Sequence, residues 1–171
     1  MRLFKLVFIS FIVFFLLICF LFALFPSEVS VSRVVRIPVS REELSRALCN
    51  LSDWPRWNHF LDGTDSSSIK ISTPPNHPGA TIHTSKLTVK LRSIALDSIW
   101  TTWTNSRGRE FSCLFLLMPA EKDNVYFQWK LDFHLHWYPW EKLGSMFYER
   151  QFGPIMEKSI FDLRQILEKN P

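Results

Sequence analysis

Glycine and cysteine are scarce in this chain, with 5 and 3 in 171 residues, and the glycines stand apart from one another. A loop that cradles phosphate needs clustered glycines so that its amides can approach the ligand, so neither a P-loop nor a dinucleotide fingerprint is present. Equally missing are the G-x-S-x-G nucleophile elbow and the H-E-x-x-H zinc helix. Cys19 lies inside a long apolar run, which leaves Cys49 and Cys113, whose separation matches no metal-binding motif. We read both as small buried apolar side chains, with a disulfide between them as the alternative. Clusters of one charge are absent too. The 20 basic and 16 acidic residues give +4, and without Arg2 and Lys5 the remainder is 18 against 16, or +2. Nucleic-acid binding calls for a basic stripe, and this near balance argues against it.

Residues 6–25 contain no charge at all. As a helix, about 20 residues rise roughly 30 Å, the thickness of a bilayer's hydrocarbon core. A buried soluble helix would show less aromatic bulk and a polar side. A cleaved signal peptide is the stronger rival, but its apolar region usually runs about 7–15 residues and ends at a small-x-small site, which is missing before Pro26. Bulky Ile18 before Cys19 disfavours a lipoprotein signal. Arg2 and Lys5 precede the run, while Pro26, Ser27 and Glu28 follow it, with Arg33 and Arg36 further on. The positive-inside rule then predicts a single-pass protein of the inner or plasma membrane, with residues 1–25 as cytoplasmic tip and anchor and residues 26–171 as an extracytoplasmic, periplasmic domain.

That domain is organised around residues 125–137, V-Y-F-Q-W-K-L-D-F-H-L-H-W, apolar at every odd position. Period two predicts a strand with Val125, Phe127, Trp129, Leu131, Phe133, Leu135 and Trp137 facing an interior. Earlier, residues 28–39 are β-branched and alternating, and S-R-E-E at 40–43 is a capping box opening a helix whose apolar face is Leu44, Ala47, Leu48 and Leu51. An aromatic turn follows at 53–60, then a polar loop from 62 to 76 holding a short strand near 68–72. Strands are expected at 80–84, 87–93, 99–105 and 110–118, with turns at 105–108 and 119–124. Residues 140–169 keep a helical stripe that Gly153-Pro154 should kink or divide. The order predicts an α+β domain with a curved antiparallel sheet of about seven strands around a long C-terminal helix, preceded by one transmembrane helix.

This order, together with L-F-P-S-E at 24–28 leading into V-V-R-I-P at 34–38, D-W-P-R-W at 53–57 and F-G-P-I-M-E-K at 152–158 followed by Leu163, resembles the START-like superfamily. These proteins, also called helix-grip, SRPBCC or polyketide cyclase/dehydrase-like, include a bacterial membrane-anchored branch that the chain resembles most. The resemblance implies an apolar cavity between sheet and C-terminal helix, used across the superfamily for lipids, sterols, polyketides and hormones, and occasionally for catalysis. The chain departs from the branch in a shortened hairpin around Ser85 and in its aromatic loading at Trp100, Trp103 and Trp129.

Convergent polar groups for catalysis cannot be assembled from the sequence. His134 and His136 share an outward strand face and have no third ligand at fixed spacing. His83 could point inward as a proton donor to a bound carbonyl, or be a satisfied core histidine. His59 and His77 lie in expected loops without a partner signal, and Asp62-Gly-Thr-Asp65 lacks the spaced carboxylates and closing Glu of a calcium loop. We therefore expect no metal and no cofactor. The cavity-lining candidates are Trp54, Trp57, His83, Trp100, Trp103, Phe115, Trp129, Phe133 and Phe147, with a solid aromatic core as the alternative. Trp137, Tyr138 and Trp140 could instead rest on the membrane interface. The expected function is non-catalytic binding of a hydrophobic or amphipathic molecule, a lipid among them, close to a membrane. A cyclase or hydrolase acting on a hydrophobic substrate and a protein-interaction module with a filled core are the alternatives; a protein partner is not named by the sequence.

Overall fold

A computed structural model describes residues 2–24, 26–64, 68–120 and 124–169. The apolar run forms α1 (Arg2–Ala23), long and apolar enough to cross a membrane. Strand β1 (Glu28–Ile37) follows, then α2 (Arg41–Cys49) and two 3-10 turns, Leu51–Arg56 and His59–Leu61. The sheet continues through β2 (Lys70–Ile71), β3 (Thr81–His83), β4 (Leu87–Ile94), β5 (Ser98–Asn105), β6 (Glu110–Pro119) and β7 (Val125–His134). Helices α3 (Pro139–Ser145) and α4 (Tyr148–Lys169) close the chain. The seven strands form one antiparallel sheet in the order β1-β7-β6-β5-β4-β3-β2. The expected loop at 62–76 and turn at 119–124 fall in part on residues 65–67 and 121–123, outside the described residues, as does Phe25 of the apolar run.

Local signals account for most boundaries. Ser40 caps α2, its hydroxyl accepting from the Glu43 amide at 3.3 Å. Gly108 turns the β5–β6 hairpin at φ 76°, and the Asn105 side chain accepts from the amides of Arg107 and Arg109. Alternation in β7 holds as expected from Val125 to Phe133, and Leu135 is also buried. Trp137 is not in the inward row; it is 65% exposed, because pairing ends at His134 and the chain turns into α3.

The break in the C-terminal helix lies at Met146 and Phe147, not at Gly153-Pro154, and α4 runs through the proline. Gly153 serves close approach instead. Arg33 sits on the inward side of edge strand β1 and crosses α4 at this glycine to reach Glu149 at 2.6 Å and Glu157 at 2.8 Å. Glu149, Gly153 and Glu157 are spaced four apart on one face of α4. A Cβ on Gly153 would collide with the Arg33 guanidinium.

At the other corner, the Glu141 carboxylate fixes α3 by accepting from the His136 amide at 2.7 Å and ring Nδ1 at 3.1 Å, and from Arg109. Desolvation pushes its carboxyl up, but the His136 hydrogen bonds and the Arg109 charge outweigh burial and lower it.

Gly153→Ala should change unfolding free energy in a denaturant titration by no more than about 1 kcal/mol, since the gain in helix propensity of roughly 1 kcal/mol offsets a partly exposed ion pair worth about 0–1 kcal/mol. Trp129→Ala, by contrast, should cost about 3–5 kcal/mol. Because the folded carboxyl of Glu141 is lowered, its stabilisation is present above the unfolded value of about 4.3 and is lost as pH falls through the lower folded value. The stability gap between wild type and Glu141→Gln should therefore be full at neutral pH and close below about pH 4; a gap independent of pH would refute the assignment.

Candidate functional site

The inward row of β7 meets Trp103 from β5 and Phe115 from β6, and the first 3-10 turn drops Trp54 and Trp57 onto them. The turn is held by Asn50, whose side chain accepts from the Ser52 amide, and by the Trp54 indole, which donates to the Leu48 carbonyl at 2.9 Å. Ring centroids then lie 5.4 Å apart for Trp54 and Trp57, 5.9 Å for Trp57 and Trp129, 5.3 Å for Phe115 and Trp129, and 4.9 Å for Phe133 and Phe152. Mostly tilted and edge-on among the tryptophans, these contacts suit aromatic quadrupoles. Six candidates, Trp54, Trp57, Trp103, Phe115, Trp129 and Phe133, thus form one buried cluster.

Buried indoles need acceptors, and two find them within the cluster. Trp103 Nε1 donates to the Thr101 hydroxyl at 2.7 Å, and Trp129 Nε1 to Cys113 Sγ at 3.1 Å. Burial pushes the Cys113 thiol up to about 12, so it stays neutral; Cys49 is likewise buried and unpaired, so the disulfide alternative is not realised. Trp57 Nε1 and the adjacent Asn58 Nδ2 are different. Both are buried, and neither has an acceptor among the described residues.

Three candidates lie elsewhere. His83 faces outward because Ile82 takes the inward position of β3, and its Nδ1 pairs with the Thr88 hydroxyl at 2.9 Å. Trp100 is 43% exposed on the outer sheet face, between Ser93 and Leu114 in the neighbouring strands. Phe147 lies exposed at the break between α3 and α4. The His134 and His136 rings face solvent and meet different carboxylates, Glu28 and Glu141.

Trp57 also forms part of a groove of about 270 Å³ between α2, the first 3-10 turn and the end of α4. Its floor is Ala47, Trp57, Leu163, Ile166 and Leu167, and its rim carries Glu43, Arg46, Asp53 and Arg56. An apolar floor with mixed charge at the edge fits an amphipathic molecule, tail inward and polar group at the rim. Sequence reasoning missed this groove because α2 and α4 are far apart in the chain. It also missed His59, whose Nδ1 pairs with Asp62 and Nε2 with Asp162, both at 2.6 Å, while its amide donates to Ser159 Oγ at 2.9 Å. The i, i+3 spacing of His59 and Asp62 was the visible half of that signal. The arrangement ties the second 3-10 turn to α4 beside the groove. Each Asp binds a different ring nitrogen, and among the described residues no cluster could hold a metal ion.

The single curved sheet gripping one long helix is the START-like helix-grip fold. A truncated norcoclaurine synthase from Thalictrum flavum is 10% identical, with 84% of this chain and 96% of that one covered at a TM-score of 0.61; the synthase is also known in complex with dopamine and hydroxybenzaldehyde. CalU16 from Micromonospora echinospora is 12% identical over 83% of this chain and 76% of that one, TM-score 0.58. A Staphylococcus aureus protein of unknown function is 12% identical over 83% and 94%, TM-score 0.62. No family model and no curated protein matches the sequence.

The thiol gives a direct check of core closure. Iodoacetamide at pH 8 should leave Cys113 unmodified in the folded protein and label it fully in denaturant, read by peptide mass spectrometry; rapid native labelling would mean that the cluster opens.

Proposed function

We propose that the protein is a membrane-anchored binder of a small hydrophobic or amphipathic molecule, residues 1–25 being the anchor and residues 26–171 the extracytoplasmic binding domain. The observation that carries this reading is the pair of buried donors without acceptors among the described residues, Trp57 Nε1 and Asn58 Nδ2, the first of them in a residue that belongs to the aromatic cluster and also lines the α2–α4 groove. Leaving a buried donor unpaired costs about 1–3 kcal/mol, a cost that a ligand oxygen accepting from it would remove. The aromatic cluster would wall the ligand, with Trp54, Trp103 and Trp129 behind Trp57. A helix-grip neighbour that takes dopamine and hydroxybenzaldehyde is in keeping with small amphiphiles as the ligand class. The outward place of His83 removes one of the two groups a catalytic reading could use, the other being a cavity carboxylate.

The test uses the full chain in detergent micelles, with native mass spectrometry to detect bound small molecules and titration with a fluorescent fatty acid. Saturable binding is expected. Trp57→Phe keeps the ring and deletes the donor, so it should weaken binding about tenfold, the equivalent of roughly 1.4 kcal/mol, while leaving a purely hydrocarbon probe unaffected. Absence of saturable binding and of any bound mass would defeat the proposal. The close ring packing of the core supports a second reading, a protein-interaction module, and co-purification of one envelope protein in the absence of a bound small molecule would favour it.

A further inference from the structure

Helix α3 is amphipathic in the inverted sense. Its inward face carries Pro139, Lys142 and Ser145, with Lys142 only 5% exposed, whereas Trp140, Met146 and Phe147 stand 64%, 73% and 63% exposed. Leu143 is exposed on the same outward side, three residues from both Trp140 and Met146. Contiguous large apolar groups on a surface mark an interaction site. Just before the helix, the rings of Tyr138 and Trp140 stack 5.0 Å apart and 6° from parallel, with Trp137 against Tyr138 at 5.0 Å.

The occupant of this face is indicated by what adjoins it. Helix α1 touches α3, and its Phe22, with Pro26 and Val29, walls an apolar cleft of about 340 Å³ whose other side is Leu143 and Met146. Helix α1 is itself apolar on every side from Leu6 onward and exposed over most of its length, with Ile18, Cys19 and Phe22 half-buried near its end. A bilayer that receives α1 therefore reaches the α3 face without a gap. Tryptophan and tyrosine are the side chains favoured at the boundary between headgroups and acyl chains, and a short apolar helix lying in that plane buries its outward face there.

We propose that the face formed by Trp140 and Leu143 of α3 with the flanking Trp137, Met146 and Phe147 inserts into the interfacial layer of the same membrane leaflet from which α1 emerges, with a lipid acyl chain lodged in the α1–α3 cleft. This rests on the reading of α1 as a membrane anchor and deepens it: the domain lies against the bilayer in one orientation rather than hanging from its tether. Glu141 holds the orientation, because its bonds to His136 and Arg109 fix the helix about its own axis.

The experiment places a benzophenone side chain singly at Trp140, Met146 or Phe147 of the full chain, with Phe14 in α1 as anchor control and exposed Phe161 on α4 as distal control. Each variant is reconstituted in phosphatidylcholine/phosphatidylglycerol liposomes, irradiated, and scored for lipid adducts by mass. All substituted sites on the domain are exposed, so each variant retains the core. The expected result is strong lipid adducts at position 14 and at all three α3 positions, at least tenfold above position 161. Adducts at 14 with α3 no higher than 161 would overturn the orientation while leaving the anchor intact. No adduct at 14 would remove the anchor reading and this inference together. Adducts from α3 to a second copy of the chain, in place of lipid, would overturn it as well and assign the face to self-association.

Discussion

The rest of the domain depends on β7 being paired on both sides, along its whole length with β1 and from Val125 to Asp132 with β6. Ten residues of β1 and the matching run of β6 flank it in register, so Val31 and Arg33 lie beside Leu131 and Trp129, and Cys113 and Phe115 lie beside the same two residues from the other side. A one-residue slip in either pairing would turn a whole row of aromatics to solvent, which makes the register costly to change. With the register set, Phe127, Trp129 and Phe133 form a single apolar floor, and the α4 stripe of Met156, Ile160, Leu163 and Leu167 is the part of the chain long enough to cover it. The edge position of β1 is tolerated because α4 packs over it and Arg33 ties the two together.

What could be read from the amino-acid order follows the range of each signal. Period two in β7 and the capping box at Ser40 act within a few residues, and both elements stand where the pattern put them. Trp137 and the helix break depend on where pairing ends and where α3 turns, which no local pattern encodes. Gly153-Pro154 reads locally as a helix breaker, yet the glycine answers to Arg33, more than a hundred residues away. His83 and Trp100 illustrate phase: one residue's offset along β3 or β5 decides inside from outside, and short strands leave that phase open. The α2–α4 groove and the His59 bridge to Asp162 are tertiary from the start.

Polar groups in this protein are placed against the apolar grain in two ways. Arg33 is brought into an apolar layer and satisfied by two carboxylates, with the Glu149 hydrogen bond the main cause of its raised pKa. Lys142 and Ser145 are turned inward so that Trp140, Leu143 and Met146 can face out. The first is a solution to closing an edge strand. The second leaves large apolar side chains on the surface, each forgoing roughly 1.5–3 kcal/mol that burial would gain.

For the proposed ligand, access would be governed by the same packing. Opening a space between the sheet and α4 for a guest would separate rings now 5–6 Å apart, and each large aromatic displaced forgoes contacts worth a few kcal/mol. The α2–α4 groove asks for no such separation: its apolar floor is already formed, its charged rim is already at the surface, and the unpartnered Trp57 donor lies in a residue common to the groove and the cluster. A small amphiphile docking there, as proposed, would gain buried area without dismantling the core, and so would bind at the margin of the aromatic layer rather than within it.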